Sequence, residues 1–189
     1  MDIMNVEDYK TWIGGIARRY RQSQIKAATA VNVEMLKFYW SLGADIVRLE
    51  KDQPWGSKFM QRVSADLKTW MPEAKCFSPT NLKYMRRFFK LYCPAPIVQQ
   101  VADRLPIQQF EGSFPNVARL IFSVPWGHHM VLIDKFGDDQ SVALFYVRKT
   151  VENGWSRAML ENNIASNLHL RQGLSETNFD LALTDPAGC

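Results

Sequence analysis

Cysteine is scarce in this chain, and what there is lies far apart. Cys76, Cys93 and Cys189 form an odd count with no Cys-x-x-Cys spacing and no zinc-like pairing with histidine. That pattern argues against a disulfide framework and fits thiols in a reducing cytosol. No apolar run approaches the roughly 20 residues needed to span a bilayer. The start, Met1-Asp2-Ile3-Met4-Asn5, lacks the basic residues and apolar run of a secretory signal. The expectation is a soluble, cytoplasmic protein without a membrane partner.

Catalytic patterns are missing too. There is no glycine-rich phosphate loop, no Gly-x-Ser-x-Gly and no convincing nucleophile–base pair. Glu73-Ala74-Lys75 matches the Glu-x-Lys half of a restriction-type nuclease site. Such a site needs those side chains on a sheet beside an aspartate, so that carboxylates hold a divalent ion. Here the tripeptide follows Pro72 between two helical segments and is rejected. His128-His129 is poorly placed to chelate one ion, because adjacent helical residues diverge by about 100°. No further ligands stand near it in the sequence, so a structural histidine beside Trp126 is expected, with no metal and no cofactor. No small-molecule substrate is evident.

What is present is apolar and helical. Of 189 residues, 47% are hydrophobic and 12% aromatic, with six Trp and eleven Phe, ample for a packed core. One domain of this length is expected, mostly α-helical, without strand or internal repeat. A first helix is expected from Asp8 to about Arg21, carrying Trp12, Ile13, Ile16 and Tyr20. A second runs from about Gln24 to Lys51, with Val31, Met35, Phe38, Leu42, Ile46 and Leu49 at steps of three and four. Such a helix would be roughly 40 Å long, suggesting a bundle or a dimer spine. Gly43 inside it is costly as a helix former and points to the close approach of a neighbouring helix.

Asp52-Gln53-Pro54-Trp55-Gly56 breaks the chain, and a third helix is expected from Ser57 to about Trp70. Residues 93–115, with four prolines, read as an irregular linker holding a short helix near Val98–Arg104. Further helices are expected at Pro125 to Lys135, Asp139 to Val151 and Ser156 to Arg171, with Asn153-Gly154 as a glycine stop. Tyr39-Trp40, Trp55-Gly56, Pro125-Trp126-Gly127 and Gly154-Trp155-Ser156 put aromatics at element ends, where packing at helix junctions is favoured over base stacking. From Gly173 the chain turns polar.

The net charge is only +4, from 23 basic against 19 acidic residues, which permits a nucleic-acid partner without demanding one. Its distribution is more informative. In Ser78–Tyr92, Ser78 can cap a helix and Pro79 suits its first turn. Lys83, Arg86, Arg87 and Lys90 then share one narrow stripe, with no acidic residue in the segment. A helix docking on phosphates would need such a stripe, and a solvated face of a core helix has the same periodicity. Arg18, Arg19, Arg21 and Lys26 make a second basic cluster. The third helix and the basic helix resemble a helix-turn-helix or winged-helix segment with an over-long connection.

Several blocks in order carry a family resemblance: Val31-Asn32, Tyr39-Trp40, Gly43, Trp55-Gly56, Phe77-Ser78, Asn81-Leu82, Met85-Arg86, Phe88, Pro125-Trp126-Gly127-His128-His129, Phe145-Tyr146 and Asn153-Gly154-Trp155-Ser156-Arg157, with Leu160 and Ile164. Together they resemble the N-terminal domain of YhcG-like bacterial proteins, whose longer members carry a C-terminal PDDEXK nuclease domain. The resemblance implies a helical targeting domain over residues 1–172. Residues 173–189, with Asn178-Phe179-Asp180, would then be a disordered or truncated connection to an absent nuclease domain. It also implies a DNA-associated, non-catalytic role for this chain. On that reading duplex DNA is contacted by Lys83, Arg86, Arg87 and Lys90, with Arg18, Arg19 and Arg21 adding backbone contacts. The alternative is a protein-interaction or dimerisation module built on the long second helix, with a second copy or a nuclease domain as partner.

Overall fold

The computed structural model describes residues 6–52, 58–93 and 107–172. Every regular element among them is a helix, as the fold-class expectation required: α1 (Val6–Asp52), α2 (Phe59–Trp70), α3 (Pro79–Tyr92), α4 (Ile107–Ser113), α5 (Pro115–Ser123), α6 (Trp126–Phe136), α7 (Gln140–Asn153), α8 (Arg157–Ala165) and α9 (Leu168–Gln172). No helix among the described residues is long and apolar enough to cross a membrane.

The two expected N-terminal helices are one. Gln22 and Ser23, where the division was expected, include neither glycine nor proline, so nothing stops the backbone hydrogen-bond ladder. Glu7 and Asp8 in the first turn suit the positive end of its dipole. The face of α1 that meets the core overlaps the expected stripe only at Leu42 and Ile46. Leu36, Tyr39, Trp40, Ile46 and Val47 are buried, whereas Val31, Met35, Phe38 and Leu49 remain exposed. Two overlapping stripes satisfy the same helical spacing, and the larger aromatic Trp40 belongs to the buried one.

Trp40 is the centre of the core. It stacks on Phe110 of α4 at 4.3 Å and receives the ring edges of Phe88 and Phe89 from α3 and of Phe122 from α5. Gly43 lets α3 lie directly on α1: a Cβ there would run into the carbonyl of Met85 and the side chain of Phe89. The expected close approach is therefore real, and α3 is its author.

Of the proline-rich stretch, residues 107–115 are described, and they are helical rather than irregular over 107–113. Residues 107–113 and 115–123 are helices, because Pro115 occupies the first turn of α5, where its missing N–H breaks no bond. Their apolar residues Phe110, Val117, Ile121 and Phe122 close one side of the core. The short helix expected near Val98–Arg104 lies outside the described residues, as do Trp55-Gly56 and residues 173–189. Ser156–Arg171 is two helices, parted at Asn167, whose φ of 52° is a left-handed turn. Gly154 ends α7 in the same conformation, at φ 61°, as a glycine stop does.

Candidate nucleic-acid interface

The segment Ser78–Tyr92 forms the helix its spacing predicts, and its start is tightly specified. The Ser78 hydroxyl accepts from the Asn81 N–H at 3.1 Å. The Asn81 amide then donates to the Cys76 carbonyl at 2.7 Å and accepts from the Trp126 indole at 2.9 Å. One side chain thus ties the entry of α3 to α6. Leu82, Met85, Phe88, Phe89 and Tyr92 are fully buried, so only the cationic stripe and its neighbours meet solvent.

Within the stripe the four cations divide. Lys83 and Lys90 lie outermost and exposed, and neither forms an ion pair among the described residues. Arg86 and Arg87 flank them and reach sideways. Arg86 meets Glu50 of α1 at 2.6 Å. Arg87 meets Asp134 of α6 at 2.9 Å and donates to the Ile133 carbonyl at 2.6 Å. The Tyr84 hydroxyl donates to the other oxygen of Asp134 at 2.6 Å, which raises the phenol's pKa. The purely cationic, outward stripe expected from helical spacing is therefore half neutralised: two arginines fasten α3 to its neighbours, and two lysines remain free for a ligand. Their partners lie 36 and 47 residues away in sequence, beyond the reach of any local pattern.

Beside the C-terminal end of α3 lies an open groove of about 650 Å³, lined by Arg87, Lys90, Asp134, Lys135, Phe136, Gly137, Asp138 and Asp139. Three cations and three carboxylates balance there, which suits no polyanion. Among the described residues no group of three or more His, Cys, Asp or Glu side chains is arranged to hold a metal.

The histidines are structural, as expected. His128 Nε2 bonds to the Trp155 carbonyl at 2.9 Å. His129 is wholly buried between the Tyr92 hydroxyl at Nδ1 and the Ile121 carbonyl at Nε2. Because a carbonyl can only accept, Nε2 carries the proton and Nδ1 accepts from Tyr92. Burial holds this imidazole neutral, with its pKa pushed down to about 4.

The second basic cluster stands elsewhere. Arg18, Arg19, Arg21 and Lys26 are exposed on the N-terminal half of α1 and form no ion pair among the described residues. Along the helix, Arg21 is about 33 Å from Gly43, where α3 crosses. The fold does not bring the two clusters together. By helical phase, however, Arg18 shares the side of α1 on which α3 packs. One exposed aromatic escaped the sequence reading. Trp70, at the end of α2, is 85% exposed, although its spacing from Phe59, Val63 and Leu67 resembles that of a core residue.

Relatives give this arrangement a context. The chain is 27% identical over 176 residues to the protein named "Putative nuclease YhcG" of Escherichia coli (strain K12). The match covers 85% of this chain and 46% of that protein, so the chain spans about half the length of its curated relative. No solved structure matches it. Residues 15–171 match the family described as the DUF1016 N-terminal domain, and the chain belongs to that family.

Proposed function

We propose that this domain is a non-catalytic module that places a nuclease on duplex DNA, gripping phosphates rather than reading bases. The observation that carries the reading is the set of exposed cations that form no ion pair among the described residues: Lys83 and Lys90 on α3, and Arg18, Arg19 and Arg21 on α1. Exposed lysine and arginine suit backbone contact, which fixes position and carries little sequence information. The relative's name, a nuclease, supplies the phosphodiester context. Arg86 and Arg87 take a supporting role on this reading, fixing the angle at which α3 presents its lysines. α2 and α3 then act as a helix pair with α3 as the docking helix.

The test is duplex binding at two salt concentrations, using Lys83→Gln with Lys90→Gln and, separately, Arg18→Gln with Arg19→Gln and Arg21→Gln. Each set should weaken binding, and the slope of log affinity against log salt should shrink by about 0.9 per phosphate contact removed. Thermal stability should barely move, since none of these five side chains is held by the body. Unchanged affinity and slope in both sets would sink the proposal.

A further inference from the structure

The N-terminal half of α1 leaves the body of the domain. Every residue from Val6 to Val31 is exposed except the half-buried Gly15 and Ala17, and the first fully buried side chain is Leu36. This arm is about 39 Å long. It is also apolar along one side: Val6, Tyr9, Ile13, Ile16 and Tyr20 recur at steps of three and four, with Trp12 beside them. All six are exposed.

Helical phase shows that this ridge does not belong to the domain's own core. At 100° per residue, its five members fall within about 80° of one another. Leu36, Trp40, Gly43 and Val47, which face the body, lie on nearly the opposite side. The ridge therefore points away from the direction in which α3 and α5 pack. Its spacing is that of a coiled-coil seam, in which such positions insert between the side chains of a facing helix.

Three features select the facing helix. First, the ridge is palindromic: Tyr9, three residues, Ile13, two residues, Ile16, three residues, Tyr20. A surface that pairs with itself about a two-fold axis must match its own reversal, and the four central members do, with Val6 falling opposite Ser23. Second, the arm is charge-asymmetric. Glu7 and Asp8 sit at its start with Lys10 beside them, while Arg18, Arg19, Arg21 and Lys26 follow without an acid before Glu34. Parallel pairing would set the two arginine-rich stretches at the same level, whereas antiparallel pairing puts Arg21 at the level of Asp8 of the other copy, with one like-charged level, Arg19 against Lys10. Third, antiparallel overlap fits sterically. With Val6 of one copy at the level of Ser23 of the other, the paired segments end about 20 Å short of Leu36, where the body begins.

We propose that residues 6–23 form an antiparallel pair with the same residues of a second copy of this chain. Ile13 of each copy packs on Ile16 of the other, and Tyr9 on Tyr20, about a two-fold axis at the level of Gly14 and Gly15. Three half-bared aromatic rings and three aliphatic side chains amount to roughly 500 Å² per copy, about 1,000 Å² in total, just below the roughly 1,200 Å² at which stable interfaces begin. The dimer should accordingly dissociate in the micromolar range. It depends on no nucleic acid.

Sedimentation of the purified full chain, from micromolar to hundreds of micromolar, should show a monomer–dimer equilibrium. Ile16→Asp buries two charges per dimer and should weaken self-association about a hundredfold or more. Gln22→Ala, on the far side of the helix, should leave it unchanged. Orientation is read by oxidising a mixture of Tyr9→Cys and Tyr20→Cys chains and mapping the bridged peptides, which should join position 9 to position 20. A wild-type monomer at the highest concentration would overturn the proposal, and so would a dimer indifferent to Ile16→Asp. Bridges joining 9 to 9 or 20 to 20 would overturn the antiparallel arrangement. Association only with some other protein, the pure chain staying monomeric, counts against it equally.

Discussion

The two halves of α1 are one continuous helix with opposite fates. From Leu36 onward it contributes Trp40, Ile46 and Val47 to the core, while from Val6 to Val31 similar residues stay in solvent. Their helical spacing is equally good. What differs is the side of the helix they occupy and whether anything lies there. Periodicity reports that a stripe exists; a neighbour decides whether it is buried. Glycine makes the same point. Gly43 has the backbone of Met85 against it, whereas nothing lies within 4 Å of a Cβ placed on Gly14 or Gly15.

The sharpest way to break this contrast is to truncate one tryptophan in each half. Trp40→Ala removes a ring packed against Phe88, Phe89, Phe110 and Phe122 and should cost about 3–5 kcal/mol, close to the whole stability of a small domain. Trp12→Ala, at a concentration where the chain is monomeric, should change stability by less than about 0.5 kcal/mol. Chemical denaturation followed by far-ultraviolet circular dichroism compares them directly. Equal effects would mean that the arm packs on the body after all.

Acid should separate the halves next. His129 is neutral in the folded body, with a pKa of about 4, while in the unfolded chain it titrates near 6.5. Below about pH 6.5 the unfolded state binds a proton that the folded state refuses, so stability falls as pH drops from there toward 4 and then levels off for this group. The full loss is about 3 kcal/mol. No described histidine lies on the arm, so its helicity should not follow that curve. Denaturation midpoints measured across this window for wild type and His129→Gln test the assignment. An identical pH dependence in the two would reassign the proton.

How far sequence reading carried depended on whether the deciding contact was local. The cap at Ser78, the glycine stop at Gly154, the helix of the basic stripe and the close approach at Gly43 were all legible, because each rests on residues within a turn or on glycine's lack of a side chain. The misreadings have non-local causes. The end of the proline-rich segment, expected to be irregular, is helical over residues 107–113 because Phe110 stacks on Trp40, seventy residues earlier. Of the stripe expected to face inward on α1, Leu42 and Ile46 meet the core, whereas Val31, Met35 and Phe38, equally regular in spacing, lie beyond what α3 covers. The charge stripe on α3 was read correctly in position but not in net charge. Glu50 and Asp134 reach Arg86 and Arg87 from other helices, and no pattern within Ser78–Tyr92 announces them.

The smallest contrast is the glycine pair, and its two signs make it informative. Gly43→Ala places a methyl group where the Met85 carbonyl and the Phe89 side chain already sit, so α1 and α3 must separate. The gain in helix propensity cannot offset that, and the net cost should be about 1–3 kcal/mol. Gly14→Ala meets no atom and should stabilise its stretch of helix by about 0.5–1 kcal/mol. That gain should not raise the melting temperature, because an arm without tertiary contacts unfolds locally rather than with the body. It should appear instead as greater helicity at low temperature and slower amide exchange confined to the arm. If Gly14→Ala raised the global melting temperature, the arm would be part of the cooperative unit. The division of α1 into a packed half and a free half would then fail.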